Sequence, residues 1–90
     1  MTAANANAEA VAVANDLTDF LARRIGADPD ADQDLFATGV ISSMFALELV
    51  VHLEDTYDIE ILGPELSRDN FRSVTAMSAL VLRLRAIHGS

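Results

Sequence analysis

Apolar residues recur at helical spacing in three stretches of this chain, and the middle stretch is the densest. From Gly39 to Tyr57, Ala46, Leu49, Val50, Leu53 and Tyr57 follow at three- and four-residue steps, the pattern of one buried helix face. Met44, Leu47 and Val51 form a second stripe on the other side, with Phe45 beside it. A helix that is apolar nearly all round is normally fully buried. A chain of 90 residues cannot wrap one completely, because small domains bury a limited share of their surface. The second stripe is therefore expected to face a partner. Before this helix, Val13, Leu17, Phe20, Leu21 and Ile25 predict a first helix over about residues 10–25, stopped by Gly26. After it, Val74, Met77, Leu80, Val81, Leu84 and Ile87 predict a last helix capped by Ser73. Arg83, Arg85 and His88 fall in its final turn, where cations complement the helix dipole.

The connections read differently from one another. Asp28-Pro29-Asp30-Ala31-Asp32-Gln33-Asp34 is loop chemistry, since its proline and alternating acids resist helix and strand alike. Leu35, Phe36, Val40 and Ile41 are expected to pin this long loop onto the core, with Gly39 allowing a tight turn. Ile59 and Ile61 alternate with acids as a short strand would. With no second strand to pair with, Asp58 to Pro64 is expected as an extended connector. Leu66 to Phe71 has room for one short helical turn, with Ser67 as its cap. Residues 1–9 are rich in alanine and asparagine, offer nothing to anchor a core, and are expected to form a flexible N-terminal segment. The expected fold is all-α: a bundle of three main helices with a short helix between the last two and a long first loop, in one domain over residues 10–88.

Charge changes the picture of what such a bundle meets. The formal net charge is −8, and the six basic residues are all arginines. None lies between Arg24 and Arg68, an interval that holds ten acids. Nucleic-acid binding needs a basic footprint and is not expected. An acidic central segment steers basic partners, or simply forms a solvated face that keeps the protein soluble. There is no cysteine, which removes disulfides, thiol catalysis and thiolate metal sites. His52 and His88 lack ligand spacing, so no metal site is expected. No apolar run approaches the roughly 18 residues of a membrane span, and the first residues lack the basic region of a signal peptide. A cytoplasmic protein is expected.

The residues offer little for catalysis. Ser43 and His52 lie nine positions apart on one helix, about two and a half turns, too far to form a nucleophile–base pair. Glu54 and Asp55 are adjacent and point in different directions. No glycine-rich phosphate loop is present. An enzyme is not expected. What remains is the serine pair at the start of the central helix. Serine is among the best N-caps, so Ser42 or Ser43 could be purely structural. A helix N-terminus also offers free backbone N–H groups and a positive dipole end, a suitable place for a phosphodiester.

Three runs decide how that serine is read. They are Asp34-Leu35-Phe36-Ala37-Thr38-Gly39-Val40-Ile41-Ser42-Ser43-Met44, then Leu49-Val50-Val51-His52-Leu53-Glu54-Asp55-Thr56-Tyr57-Asp58-Ile59-Glu60-Ile61, then Asn70-Phe71-Arg72-Ser73-Val74. In order and spacing they are similar to acyl carrier proteins, and from Asp34 to about Leu82 the chain resembles that family. In the family the first run ends in Asp-Ser-Leu, and its serine accepts 4′-phosphopantetheine. The resemblance puts Ser43 on that serine, with Ser42 in place of the usual aspartate and Met44 in place of the usual leucine. It implies a four-helix acyl-carrier bundle in which Leu49, Leu53, Tyr57 and Ile61 match core positions. Met44, Leu47, Glu48, Val51 and Asp55 match the exposed face that partner enzymes recognise. His52 sits beside that face, as an ordinary exposed histidine or as a partner contact.

The run Ser-Ser-Met-Phe-Ala-Leu-Glu-Leu-Val, with Asn-Phe-Arg-Ser-Val later, is further similar to discrete carriers of polyketide pathways. The resemblance then implies a monomeric, non-catalytic carrier that holds an acyl or aminoacyl group as a thioester on 4′-phosphopantetheine. Its cargo would be an unusual malonyl-type extender or an aminoacyl starter. Its partners would be a phosphopantetheinyl transferase, an acyltransferase or adenylating enzyme, and polyketide synthase modules, with no nucleic acid and no membrane. The alternatives are a peptidyl or D-alanyl carrier, and an interaction module of the same fold that is never loaded.

Overall fold

Helical spacing becomes helix at each of the three expected places. A computed structural model describes residues 2–88, with side chains for residues 8–87. Its elements are α1 (Thr2–Ile25), α2 (Ser43–Tyr57), a 3-10 turn (Gly63–Glu65), α3 (Arg68–Phe71) and α4 (Val74–His88), with no strand among the described residues. The all-α bundle with a long first loop and a short third helix is the fold observed. Its Cα radius of gyration is 12.5 Å, against about 12 Å for one packed domain of this length.

Helix α1 buries Val13, Leu17, Phe20 and Leu21. Its end is fixed by Gly26, which sits at φ 67°. The Gly26 N–H donates to the Ala22 carbonyl at 3.0 Å, the single bond of an αL helix stop, and the Ala27 N–H donates to the Leu21 carbonyl at 3.4 Å. Two expectations about this helix need correction. Helical backbone already begins at Thr2, well before residue 10, because alanine is the strongest helix former and continues a helix without a core contact. Met1 and the side chains through residue 7 lie outside the described residues, while the backbone of the segment 1–9, expected to be flexible, is helical from Thr2 onward. Ile25, assigned to the buried face, is exposed at the last turn.

Helix α4 buries Val74, Met77, Leu80, Val81 and Leu84 and is the element the other three helices pack on, α1 most extensively. Ser73 caps it as expected, its Oγ accepting the Ala76 N–H at 3.0 Å. Ile87 keeps the helical spacing but lies exposed beyond the end of the core. The side chain of His88 lies outside the described residues. Ser67 precedes α3 without making a side-chain cap bond.

The long loop is tied down as its apolar residues predict. Leu35 and Ile41 are buried, and Phe36 and Val40 pack against the core. The Leu35 N–H donates to the Arg72 carbonyl at 2.6 Å, and the Thr75 N–H to the Ala31 carbonyl at 2.9 Å. The second bond satisfies one of the free N–H groups at the start of α4. Beyond α2, Ile59 and Ile61 are buried in an extended connector, and the Ile61 N–H donates to the Glu54 carboxylate at 2.9 Å. Asp58 makes the turn out of α2 in the left-handed region at φ 55°, a conformation Asp tolerates better than most residues.

Gly39 closes the loop at φ 77°, and a Cβ there would meet nothing within 4 Å. The cost of Gly39→Ala is therefore backbone strain alone, about 1–2 kcal/mol. Gly63 also faces open space, without a positive φ, and Gly63→Ala should stay within about 0.5 kcal/mol of the parent. Urea denaturation of the two variants side by side checks this; equal losses would contradict it.

Candidate functional site

The two serines at the start of α2 do different work. Ser42 is the N-cap, with extended backbone at φ −100° and ψ 169°. Its Oγ accepts the Phe45 N–H at 3.1 Å and its carbonyl accepts the Ala46 N–H at 3.0 Å. Ser43 is the first helical residue, is exposed, and takes no part in the cap. The question the sequence left open, which serine caps, is settled by Ser42. Ser43 presents a hydroxyl with no structural duty at the positive end of a 15-residue helix whose first turn holds no acid.

Beside Ser43 lies an open hollow of about 240 Å³ between the first half of α2 and the segment running through α3. Phe36, Val50, Leu66 and Phe71 supply apolar wall, and Ser43 and Arg68 also line it. Phe36, expected only to anchor the loop, thus has one face on the core and the other on this hollow.

The outer stripe of α2 is open. Met44 is 80% exposed, Leu47 63% and Val51 56%. Leu49 and Leu53 are fully buried, while Ala46, Val50 and Tyr57 are half-buried. Asp55 is exposed. Glu48 is exposed as expected, and it is ion-paired with Arg24 of α1. The guanidinium of Arg24 also stands over the Phe20 ring, 5.5 Å from its centroid. The stretch between Arg24 and Arg68 is free of cations along the chain but not in space.

His52 is neither an ordinary exposed histidine nor a free partner contact. Its ring stacks on Phe20 at 4.0 Å between centroids, and Nε2 lies 2.9 Å from Asp16 Oδ2. The Tyr57 hydroxyl donates to the same oxygen at 3.1 Å. This polar cluster ties α2 to α1. Burial, then the Asp16 carboxylate and its hydrogen bond, push the Tyr57 phenol up to about 12, while the Arg85 guanidinium acts in the opposite sense. Asp16, Arg24 and Arg68 were missed as neighbours of α2. Helical periodicity reports a residue's face and not its distant partner, and these residues are separated from α2 by loops or whole elements. Among the described residues no group of His, Cys, Asp or Glu could hold a metal ion. No helix among them is long and apolar enough to cross a membrane.

Comparison with known proteins adds one finding. Over 44 residues the chain is 43% identical to D-alanyl carrier proteins of Streptococcus pyogenes, among them those of serotypes M5 (strain Manfredo), M49 (strain NZ131) and M1. The match takes in 49% of this chain and 56% of each relative, so the chain spans about half the length of the curated relatives it matches. No family model and no solved structure matches it. The relatives' shared name is that of a carrier and not of a catalyst.

Two measurements follow from this geometry. Ser42→Ala should cost about 1 kcal/mol, the usual worth of an N-cap hydroxyl, while Ser43→Ala stays within about 0.5 kcal/mol. Ser42→Asp keeps the cap and adds an anion at the positive helix end, a gain of about 0.3–1 kcal/mol. Denaturation of the three variants checks the assignment, and a larger loss at Ser43 than at Ser42 would reverse it.

Tyr57 is the single tyrosine, so phenolate absorbance follows it alone. It should titrate near 12 in the folded protein and near 10 when unfolded. The folded phenol holds its proton longer than the unfolded one. Its contribution to stability is therefore complete below pH 10 and is lost as pH rises from about 10 to 12. Tyr57→Phe should remove that step from the stability profile.

Proposed function

We propose that this chain is a carrier protein: it bears 4′-phosphopantetheine on Ser43 and presents the outer face of α2 to the enzymes that load and unload it. One observation carries the reading. The exposed Ser43 hydroxyl is released from capping by its neighbour and stands at a helix N-terminus. The cap on Ser42 fixes the first turn, so the hydroxyl is held in place and open to a transferase. Loading joins Ser43 Oγ to a phosphorus of the coenzyme A pyrophosphate, breaks that pyrophosphate's bridging P–O bond so that 3′,5′-adenosine diphosphate leaves, and releases the hydroxyl proton; the helix end then faces a phosphodiester anion, the charge it favours. The group supplies a thiol on a flexible arm, to which an acyl or aminoacyl cargo is joined as a thioester. The chain itself supplies attachment and recognition and is not an enzyme.

The stripe of Met44, Leu47 and Val51, with Asp55 exposed on the same helix, supports the outer face of α2 as the docking surface. A few apolar residues at its centre would carry most of the binding energy. Glu48 reaches that surface with Arg24 attached. Its part is then shared with an arginine, and a partner meets an ion pair there in place of a bare acid.

Two finer readings differ in cargo. The first is a discrete carrier of polyketide biosynthesis, acting in the cytoplasm as a monomer. It would take a malonyl-type extender or aminoacyl starter from an acyltransferase or adenylating enzyme and deliver it to synthase modules. The Ser42–Val50 and Asn70–Val74 runs support it. The second is a D-alanyl carrier, supported by the name of the relatives.

Intact mass after incubation with a phosphopantetheinyl transferase and coenzyme A tests the core of the proposal. The chain should gain the mass of one phosphopantetheine, and Ser43→Ala should gain none. A gain that persists in Ser43→Ala, or none in the parent, refutes it. Val51→Asp should still be loaded and should melt within a few degrees of the parent, since Val51 is largely exposed, yet accept cargo more slowly from its loading enzyme. A large fall in melting temperature would place Val51 in the core and remove the docking surface.

A further inference from the structure

The hollow beside Ser43 holds a cation that the fold leaves unpaired. Arg23, Arg24 and Arg72 each pair with a carboxylate, Arg83 donates to the Asn70 side chain at 3.2 Å, and Arg85 lies over the Tyr57 ring, 5.9 Å from its centroid. Arg68 has no carboxylate within 4.0 Å among the described residues and donates no hydrogen bond within them. Its guanidinium lies over the Phe36 ring, 4.6 Å from the centroid. That contact steadies the charge against the wall of the hollow without neutralising it. Arg83 and Arg85 also have no carboxylate within 4.0 Å among the described residues, and Arg68 is set apart from them by lining the hollow beside Ser43. A guanidinium offers five N–H donors in a planar fork that suits phosphate and carboxylate oxygens. Around it the hollow is walled by Phe36, Leu66 and Phe71, and a charge pair beside apolar surface is stronger than one in bulk water.

We propose that Arg68 holds an anionic group borne on Ser43. The inference rests on the carrier reading and extends it by giving the site a residue that selects charge. Two sources present the same chemistry to the guanidinium: the phosphate that joins the arm to Ser43, and a free carboxylate at the end of a dicarboxylic cargo. A cargo that ends in an ammonium group meets repulsion at the same place.

Loading is checked first by intact mass. A chain that takes no arm refutes the carrier reading and this inference with it. The decisive measurement is then solvent exchange of the arginine Nε–H protons by nuclear magnetic resonance. It is made on the unloaded protein, on the protein carrying the bare arm, and on acetyl- and malonyl-loaded protein prepared from the coenzyme A thioesters. Exchange at Arg68 should slow about two- to fivefold, the scale of a partly exposed ion pair. Exchange at Arg72, already paired with Asp69, should not change. Slowing that appears with the bare arm identifies the phosphate as the anion. Slowing that appears with malonyl and not with acetyl identifies the cargo carboxylate. Arg68→Lys should retain the preference for malonyl or the phosphorus chemical shift of the loaded protein, and Arg68→Gln should lose it. Exchange that never changes, or that slows equally for acetyl and malonyl beyond the bare arm, reports no charge pairing and overturns the inference.

Discussion

Helix α2 has apolar residues on two faces and a core that can take only one of them. That constraint sets the rest of the site. Leu49 and Leu53 are fully buried, which fixes the rotation of the helix about its axis. With that rotation fixed, positions offset from the buried stripe face outward, and Met44, Leu47 and Val51 are left in water. Leaving three large apolar side chains exposed costs favourable burial, on the order of 1.5–3 kcal/mol for each that could have been fully covered. The chain does not recover that burial with its long loop. Its apolar residues are used one layer deeper, where Leu35 and Ile41 close the core.

The same rotation decides how α2 is held. A helix gripped by apolar contact alone can slide or turn on its neighbour, because apolar contact is non-directional. Here α1 reaches across with directional groups. Asp16 receives the Tyr57 hydroxyl and lies within hydrogen-bond distance of the His52 ring, Phe20 stacks on that ring, and Arg24 pairs with Glu48. These joins are spread along α2 from Glu48 to Tyr57. They fix the register of the helix, and with it where Ser43 stands relative to Arg68 and Phe36. The join is partly exposed, so its worth lies in specifying geometry more than in adding stability, as surface ion pairs contribute little.

What could be read from the sequence divides along the same line. Leu17, Leu49, Leu53, Met77 and Leu80 are core by spacing and core in the structure, because periodicity records which face of a helix is apolar. The exposure of Val51 was legible for the converse reason, since a small domain lacks the material to cover a second stripe. The Ser73 cap and the Gly26 and Gly39 turns were legible because each depends on one residue's local chemistry. Ser42 and Ser43 were not separable this way, as both have the right chemistry and only backbone geometry assigns the cap. The Glu48–Arg24 and Asp16–His52 contacts join residues 24 and 36 positions apart, and nothing local marks them. Ile25 and Ile87 failed at helix ends, where the spacing continues but the core has stopped.

Ser42, which stands where the acyl carrier proteins that the sequence resembles have aspartate, acquires a physical meaning from this geometry. An aspartate at the cap would accept the same N–H bond and bring a negative charge to the positive end of α2. Ser42 accepts the bond and brings none. Because the first turn of α2 holds no acid either, the helix dipole stays uncompensated at the point where Ser43 stands. A phosphodiester on Ser43 would supply the missing charge, and the interaction of an anion with a helix end is worth about 0.3–1 kcal/mol at an exposed position. With an aspartate already in place, part of that interaction would be satisfied before loading and the new anion would meet a like charge. With serine none of it is satisfied beforehand. Serine in place of aspartate therefore leaves the helix somewhat less stable and would make an anion at Ser43 more favourable, and Arg68 across the hollow would act in the same direction.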